Sequence, residues 1–231
     1  MITILSYNVM FNDIHLKERH NELVQLVKKF SPDVICLQEV LASYVDFFLD
    51  HFTNYTPVFE TLMPKKREYG ELILVRHDWT ISHKECLPLT SIMGRSLLHC
   101  EISNGVKIYN VVTFHLESMH IKEFREEQLK TMWKVYGGLP NAIFCGDTNL
   151  TESESDGLPK GISDLWKVIG GPKSTYFGNR FWGKKNAERY DRVFFKDLEA
   201  FSFRTIGYNP FEIGGKDVWI SDHDGIIAQF I

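Results

Sequence analysis

Where apolar runs in this chain stop, the next residues are repeatedly ones that can bind a cation, move a proton or orient an oxyanion. The run Ile143-Phe144-Cys145-Gly146 ends at Asp147-Thr148-Asn149, so Asp147 and Asn149 alternate at the carboxyl end of a buried strand. Such a pair can grip a phosphate oxygen and the water beside it, because ligands of α/β folds gather at the carboxyl ends of strands. The same two residues could instead form an Asx-turn, hydrogen-bonding the backbone as the chain leaves the strand. Asn8, Glu39, His115, Asp191, Asp222 and His223 also fall at strand ends or in the adjoining loops. A single Glu or His there is ordinarily a solvated terminus or a structural group, but eight polar residues placed alike strain that reading. A carboxylate such as Glu39, joined by one more acid and several waters, is a common way to hold Mg²⁺, which keeps an octahedral shell of oxygens. His115 and His223 lack the close helical pairing of a zinc protease, and the excess of carboxylates and amides favours a hard cation. Asp191 is placed to hydrogen-bond His223 and fix its tautomer. The set fits metal-assisted hydrolysis of a phosphate ester.

These residues need strands that deliver them to one place, and apolar segments recur along the chain to do so. Residues 2–7 alternate into β-branched types and read as a strand from the very start, with no leader domain expected ahead of it. Leu16, Leu23, Leu26, Val27 and Phe30 follow helical spacing until Ser31-Pro32-Asp33 stops the helix, and residues 34–37 form a buried strand that completes a βαβ-like unit. Residues 44–52 read as a second, aromatic-rich helix, and 55–62 and 71–75 as strands separated by the basic turn Pro64-Lys65-Lys66-Arg67-Glu68. The loop Ser91-Ile92-Met93-Gly94-Arg95 precedes a strand over 96–102, and Asn104-Gly105 signals a hairpin into 106–114. Residues 121–136 form an amphipathic helix whose stripe is Leu129, Met132, Trp133 and Tyr136.

The longest irregular tract spans residues 151–161. Residues 176–192 then interleave Tyr176, Phe177, Phe181, Trp182 and Tyr190 with Arg180, Lys184, Lys185, Arg189 and Arg192. Charges that track phosphates and rings that stack bases suit a single strand of nucleic acid; alternatively, Phe181 and Trp182 cover an edge of the core. Strands over 193–195 and 225–231 close the chain.

At 231 residues and 44% hydrophobic, the chain is long enough for one large domain spanning 1–231, with no shift in composition to divide it. Its formal charge of −4, from 26 Lys and Arg against 30 Asp and Glu, excludes a whole-protein basic field, so contact with nucleic acid must be local. Four cysteines without metal-site spacing, two of them inside apolar runs, point to reduced core thiols. No signal peptide or membrane-length apolar run is evident, and a soluble intracellular protein without a membrane partner is expected, nuclear or cytoplasmic if eukaryotic.

Ser6-Tyr7-Asn8, Leu37-Gln38-Glu39, Gly146-Asp147-Thr148-Asn149, Arg189-Tyr190-Asp191 and Ser221-Asp222-His223 resemble the ordered motifs of the endonuclease/exonuclease/phosphatase superfamily. Within it, Met93-Gly94-Arg95-Ser96-Leu97-Leu98, His115-Leu116-Glu117-Ser118, Gly157-Leu158-Pro159 and Arg189 through Phe195 are similar to pieces of the type 2 5′-tyrosyl-DNA phosphodiesterases. That resemblance implies a four-layered α/β sandwich of two mixed β-sheets flanked by helices. It implies Mg²⁺, with Mn²⁺ as a substitute, and a monomer acting on DNA ends that carry a 5′-tyrosyl adduct and are single-stranded at the 5′ end.

Carried over by position, Glu39 binds the metal with Asp222 near it, while Asn8 and Asn149 orient phosphate and water. Asp147 positions or deprotonates the water, His115 and His223 stabilise the transition state, and Asp191 backs His223. Arg95, Ser118, Tyr176, Arg180 and Trp182 are the expected substrate and DNA contacts. Two departures stand out. Val9-Met10-Phe11 occupies the place of an Asp and Gly that normally follow the first Asn, with Asp13 a candidate replacement, and Tyr176 stands where a Trp is common. No ubiquitin-binding leader is expected. Rival substrates for the same chemistry are abasic DNA, poly(A) and phosphoinositide or sphingolipid, and a further rival is a DNA-binding relative without turnover.

Overall fold

Strand β1 (Ile2–Asn8) carries apolar side chains on both faces because both are covered. Ile2 and Ile4 face a second sheet, whereas Leu5 and Tyr7 face helices. The computed structural model describes residues 1–59, 69–119, 121–154 and 156–231. The basic turn expected at residues 64–68, and the end of the strand expected over 55–62, lie outside them. After β1 come α1 (Leu16–Phe30), β2 (Val34–Leu41), a 3₁₀ turn (Ala42–Tyr44) leading into α2 (Val45–His51), β3 (Tyr55–Phe59) and β4 (Tyr69–Arg76). Strands β5 (Thr80–Pro88), β6 (Ser96–Ser103) and β7 (Ile108–His115) precede α3 (Lys122–Tyr136) and β8 (Ala142–Asp147). Then follow β9 (Ser163–Asp164), α4 (Leu165–Ile169), a ribbon of β10 (Tyr176–Phe177) with β11 (Ala187–Glu188), and β12 (Asp191–Lys196). The chain closes with β13 (Ala200–Ile206), a second ribbon of β14 (Phe211–Ile213) with β15 (Lys216–Val218), and β16 (Gly225–Phe230).

Two six-stranded sheets result, ordered β13-β16-β1-β2-β4-β3 and β5-β6-β7-β8-β12-β9. Each is mixed, with one parallel pair, β1–β2 or β7–β8, at its centre. Ile2, Ile4, Val34 and Cys36 of the first sheet pack between the sheets against Cys100, Val111, Ile143 and Cys145 of the second. On the outer face of the first sheet, Leu5, Ile35 and Leu37 meet Leu23, Val24 and Val27 of α1 and Phe48 of α2. On the outer face of the second, Leu97, Val112 and Phe144 meet Leu129 and Met132 of α3. These contacts define the four-layered α/β sandwich, helix on sheet on sheet on helix. All four cysteines are thiols outside any disulfide. No helix among the described residues is long and apolar enough to cross a membrane.

The helices over 16–30 and 121–136 form almost where their spacing places them, and the Asn104-Gly105 turn joins β6 to β7 with Gly105 at φ 83°. Asn104 Oδ1 accepts from both Val106 N and Lys107 N, so the side chain itself closes the turn. Strands β5 and β13 carry no clean alternation in sequence. Both lie at sheet edges, where a strand borrows its partner's hydrogen bonds and needs little apolar surface of its own.

His20 of α1 is buried among Tyr44, Phe47 and Phe48, and neither ring nitrogen has a hydrogen-bond partner. Burial, aided by the neighbouring Arg19 charge, pulls its pKa down from 6.5 to about 3. The unfolded ring therefore takes up a proton near pH 6.5 and the folded ring only near 3, so this site stabilises the fold fully above pH 6.5. That contribution is lost as the pH falls from 6.5 towards 3, by up to about 1.4 kcal/mol per pH unit. His20→Phe is expected to flatten this part of the acid limb in denaturant titrations. A slope equal to that of the wild type would mean that His20 does not titrate in this range.

Candidate active site

The inner faces of the two sheets change character towards one end. Beyond the apolar layer, Gln38 Nε2 donates to Ser6 Oγ (3.3 Å) and across the sandwich to Thr113 Oγ1 (3.0 Å). One step further along the same faces come Asn8, His115, Asp147 and Asp191. Strand register sets three of these side by side, because His115 on β7 and Asp191 on β12 both pair with Asp147 on β8. A Cβ at Gly146 would collide with the Phe114 carbonyl, so the residue before Asp147 must be glycine for β7 and β8 to approach this closely.

Glu39 arrives by a different device. Simple alternation would send it to the outer face with Ile35 and Leu37. A register shift between Leu37 and Val40, and a left-handed backbone at Glu39 (φ 62°), turn it into the mouth instead. There Oε1 accepts from Asn8 Nδ2 (3.1 Å) and Oε2 from Phe11 N (3.0 Å). Asn8 Nδ2 also donates to Asp147 Oδ2 (2.9 Å), and its Oδ1 accepts from Met10 N (3.0 Å). One amide thus ties the two carboxylates together across the sheets.

Asp147 uses its other oxygen, Oδ1, to accept from Asn149 N (2.8 Å), which is the Asx-turn. Turn and site coexist because the two oxygens divide the work. Asn149 adopts φ 50°, and its Nδ2 donates to Leu116 O (3.1 Å). Asp147 Oδ2 lies between two imidazoles, 3.5 Å from His115 Nε2 and 3.7 Å from His223 Nε2. His223 Nδ1 donates to Asp191 Oδ2 (2.8 Å). Arg95 Nη1 sits 2.9 Å from His115 Nδ1. A guanidinium only donates, so His115 Nδ1 accepts and its ring carries its proton on Nε2, towards Asp147 and Glu39.

The charges follow from burial. Desolvation would lower the His223 pKa, but Asp191, Asp147 and Asp222 outweigh it and hold the ring well above 6.5, as an imidazolium at neutral pH. Burial pushes Asp147 up to about 7, against the pull of His223 and with Asp191 adding to the rise. Burial likewise raises Glu39, opposed by the Phe11 N–H. Asp147 is therefore a carboxyl group able to exchange a proton near neutrality.

Asp147, Asp191 and His223 place donor atoms within 4.8 Å of one another. His223 Nδ1 and Asp191 Oδ2 are already engaged with one another, so within this group an imidazole held by one carboxylate faces a second. The residues beside Glu39 fit a hard divalent cation: Glu39, Asp147, Asp222 and Asn8 offer oxygen donors, and the carboxylates here outnumber the single imidazolium. Glu39 would hold such an ion with Asp222 beside it. Met10 is buried at φ 58° and contributes no oxygen from its side chain, and Asp13 is exposed in the turn before α1. Phe11 N and Asn8 Nδ2, and not Asp13, hold the Glu39 carboxylate.

The expected nucleic-acid contacts divide in two. Tyr176 packs on His223 (centroids 5.1 Å) beside Tyr190, and Trp182, 41% exposed, donates from Nε1 to Asp222 Oδ2 (2.6 Å). Both stand at the mouth. Ser118 is half-buried, its hydroxyl on Met93 Sδ (3.1 Å). Arg95 and Arg180, by contrast, point inward. Arg95 is 2% exposed and committed to His115, lying over Tyr69 as well. Arg180 Nη2 pairs with Asp224 Oδ1 (2.8 Å), and Nη1 donates to Ser221 O and His223 O (3.3 Å each). A guanidinium engaged in this way holds the turn that carries Asp222 and His223 and is not presented to a phosphate.

Three supporting residues were given no role of their own in the sequence analysis. Arg19 is fully buried and donates all five N–H groups to the carbonyls of Val9, Met10, Asn12, Ile14 and Ile220, clamping the loop that supports Glu39. Glu117 accepts from Ser91 Oγ, Ile92 N and Met93 N and so fixes the loop that delivers Arg95. Phe11 stacks on Tyr69 (4.7 Å, 6°), forming an aromatic wall on the His115 side. An arginine in an amphipathic helix reads as a solvated charge until its partners are known.

The family model for the Endonuclease/Exonuclease/phosphatase family matches residues 5–223. The chain belongs to that family, a class of metal-dependent phosphoester hydrolases. Among its relatives are tyrosyl-DNA phosphodiesterase 2 of Homo sapiens, 30% identical over 214 residues (85% of this chain, 58% of the relative), and of Mus musculus, 27% identical over 249 residues (98% and 65%). This chain thus spans less than two thirds of the length of these relatives. The crystal structure of D. rerio TDP2 complexed with single strand DNA product superimposes with a TM-score of 0.89 at 26% identity, covering 100% of this chain and 98% of that one.

Arg95→Ala is expected to lower kcat for a small aryl phosphodiester by about 10–100-fold, by freeing the His115 ring. KM should change less. A loss confined to long DNA substrates would make Arg95 a nucleic-acid contact.

Proposed function

We propose that this chain is a Mg²⁺-dependent phosphodiesterase that hydrolyses 5′-phosphotyrosyl bonds at DNA ends, releasing tyrosine and leaving a 5′-phosphate in the repair of topoisomerase adducts. The observation that carries this reading is the constellation at the mouth: Asp147 between two oriented imidazoles, Glu39 at its edge, and an aromatic wall on each side. A 5′-tyrosyl end presents a phenyl ring on one side of the phosphate and bases on the other, so rings flanking the reacting centre match it. The names of the relatives, and the single-stranded DNA product held by one of them, support the same substrate.

In this mechanism a water adds to phosphorus opposite the tyrosyl oxygen, and the bond to that oxygen breaks. Asp147 orients the water and takes its proton. The His223 imidazolium, fixed by Asp191, and the Nε2–H of His115 donate to the phosphoryl oxygens as negative charge builds in the transition state. Asn149 keeps an amide oxygen free to orient the water. Glu39, with Asp222 beside it, would hold the Mg²⁺, which would supply Lewis acidity towards the phosphate. The phenolate leaves readily, having a pKa of ~10. Trp182 holds Asp222 through its indole N–H while its open face offers a base a stacking surface.

The decisive assay offers a 5′-phosphotyrosyl oligonucleotide, an abasic duplex and a poly(A) strand, each with Mg²⁺ and with chelator. Tyrosine release confined to the first and abolished by chelator is expected. Turnover of another substrate alone would overturn the substrate, and none of any would favour a binding relative. Asp147→Asn should reduce turnover by ~10²-fold or more with DNA affinity nearly unchanged. Trp182→Ala should weaken binding of single-stranded oligonucleotides by about tenfold, whereas Trp182→Phe, which keeps a ring, should bind almost normally. Equal binding losses in the two variants would place the effect in the Asp222 hydrogen bond and not in stacking.

A further inference from the structure

On the outer face of the second sheet, away from the mouth, three metal-ligating side chains meet without any role in the hydrolysis. His83 and Glu85 stand two residues apart on the edge strand β5, and Glu85 pairs directly with His99 on β6. One donor atom from each of the three lies within 4.8 Å of those of the others. His83 Nε2 is 4.0 Å from Glu85 Oε2, and the two imidazole rings are 5.5 Å apart.

His99 is the informative member. It is 5% exposed, and its Nε2 lies 3.0 Å from Asn110 Oδ1. Asn110 is itself oriented, because its Nδ2 donates to Pro140 O (2.9 Å). Its oxygen therefore faces His99, and His99 must donate from Nε2. That assignment leaves Nδ1 with a lone pair, and Nδ1 is buried with no hydrogen-bond partner. Burial also lowers the His99 pKa, which keeps the ring neutral. An imidazole that donates one N–H to a carbonyl and keeps the other nitrogen bare is the arrangement that metal-bound histidines adopt. Tyr136 at the end of α3 completes the shell, its hydroxyl donating to Glu85 Oε2 (3.0 Å).

We propose that His83, Glu85 and His99 bind Zn²⁺, with a water in the fourth position. Two imidazole nitrogens and one carboxylate oxygen form a donor set that suits zinc and is poor for Mg²⁺. In a tetrahedral zinc site the ligand atoms stand about 3.3 Å apart. Closing from the present spacing needs a shift of about an ångström, available in the exposed side chains of His83 and Glu85 while His99 stays fixed. The ion would staple β5 to β6. This inference does not rest on the proposed substrate.

The test is a titration of the purified chain with Zn²⁺, and with Co²⁺ as a visible probe, under excess Mg²⁺. The wild type is expected to take up Zn²⁺ at this site with a rise in Tm, and a Co²⁺ absorption band is expected to report imidazole ligands. His83→Ala and Glu85→Gln should each weaken that binding by at least about tenfold, with Mg²⁺-dependent turnover in the absence of zinc unchanged. Asp147→Asn, which alters the other cluster of ligands, should retain it. Wild-type affinity in His83→Ala, or no uptake by the wild type, overturns the assignment.

Discussion

The hydrogen bond from Asn8 of one sheet to the buried carboxylate of Asp147 in the other, one layer beyond that from Gln38 to Thr113, joins the two halves of the sandwich where its apolar core ends. Most of the site depends on that junction. Between the sheets the packing is aliphatic along most of the strands, then passes through the Ser6–Gln38–Thr113 layer to a set of carboxylates and imidazoles. Burying such groups is unfavourable unless they find partners, and several side chains at this end are aimed by another. Asn8 spends both amide hydrogens on Asp147 and Glu39, Asp191 aims His223, and Arg95 aims His115.

Three arginines around the site serve as scaffolding. Arg19, Arg95 and Arg180 each direct a rigid planar fork inward, at backbone carbonyls, an imidazole or a carboxylate. With these three cations committed to the interior, rings line both sides of the mouth among the described residues. Phe11 and Tyr69 stand on the His115 side, and Tyr176, Tyr190 and Trp182 on the His223 side. The same economy appears in the ligands beside Glu39. Met10 turns its side chain into the core, and the backbone of the loop, clamped by Arg19, supplies Phe11 N to the carboxylate.

Much of this was legible in the sequence because it is local. The helical stripe of residues 16–30, the Asn104-Gly105 turn and the polar residues at the ends of apolar runs each depend on neighbours a few positions apart. The ordered motifs marked the family for the same reason. The edge strands β5 and β13 escaped notice because their stability comes from a partner strand and not from their own pattern.

The sequence by itself determined which polar types stand where its apolar runs end, namely Asn8, Glu39, His115, Asp147, Asn149, Asp191, Asp222 and His223. Only the tertiary structure decided what each would touch. Pairing of β7, β8 and β12 fixed His115, Asp147 and Asp191 side by side, and the bulge at Glu39 reversed the direction that alternation assigns it. Arg95 and Arg180, which read as substrate and DNA contacts, point inward as props, because a long side chain finds its partner in space, many residues away in the chain, and burial rewards the best-satisfied arrangement.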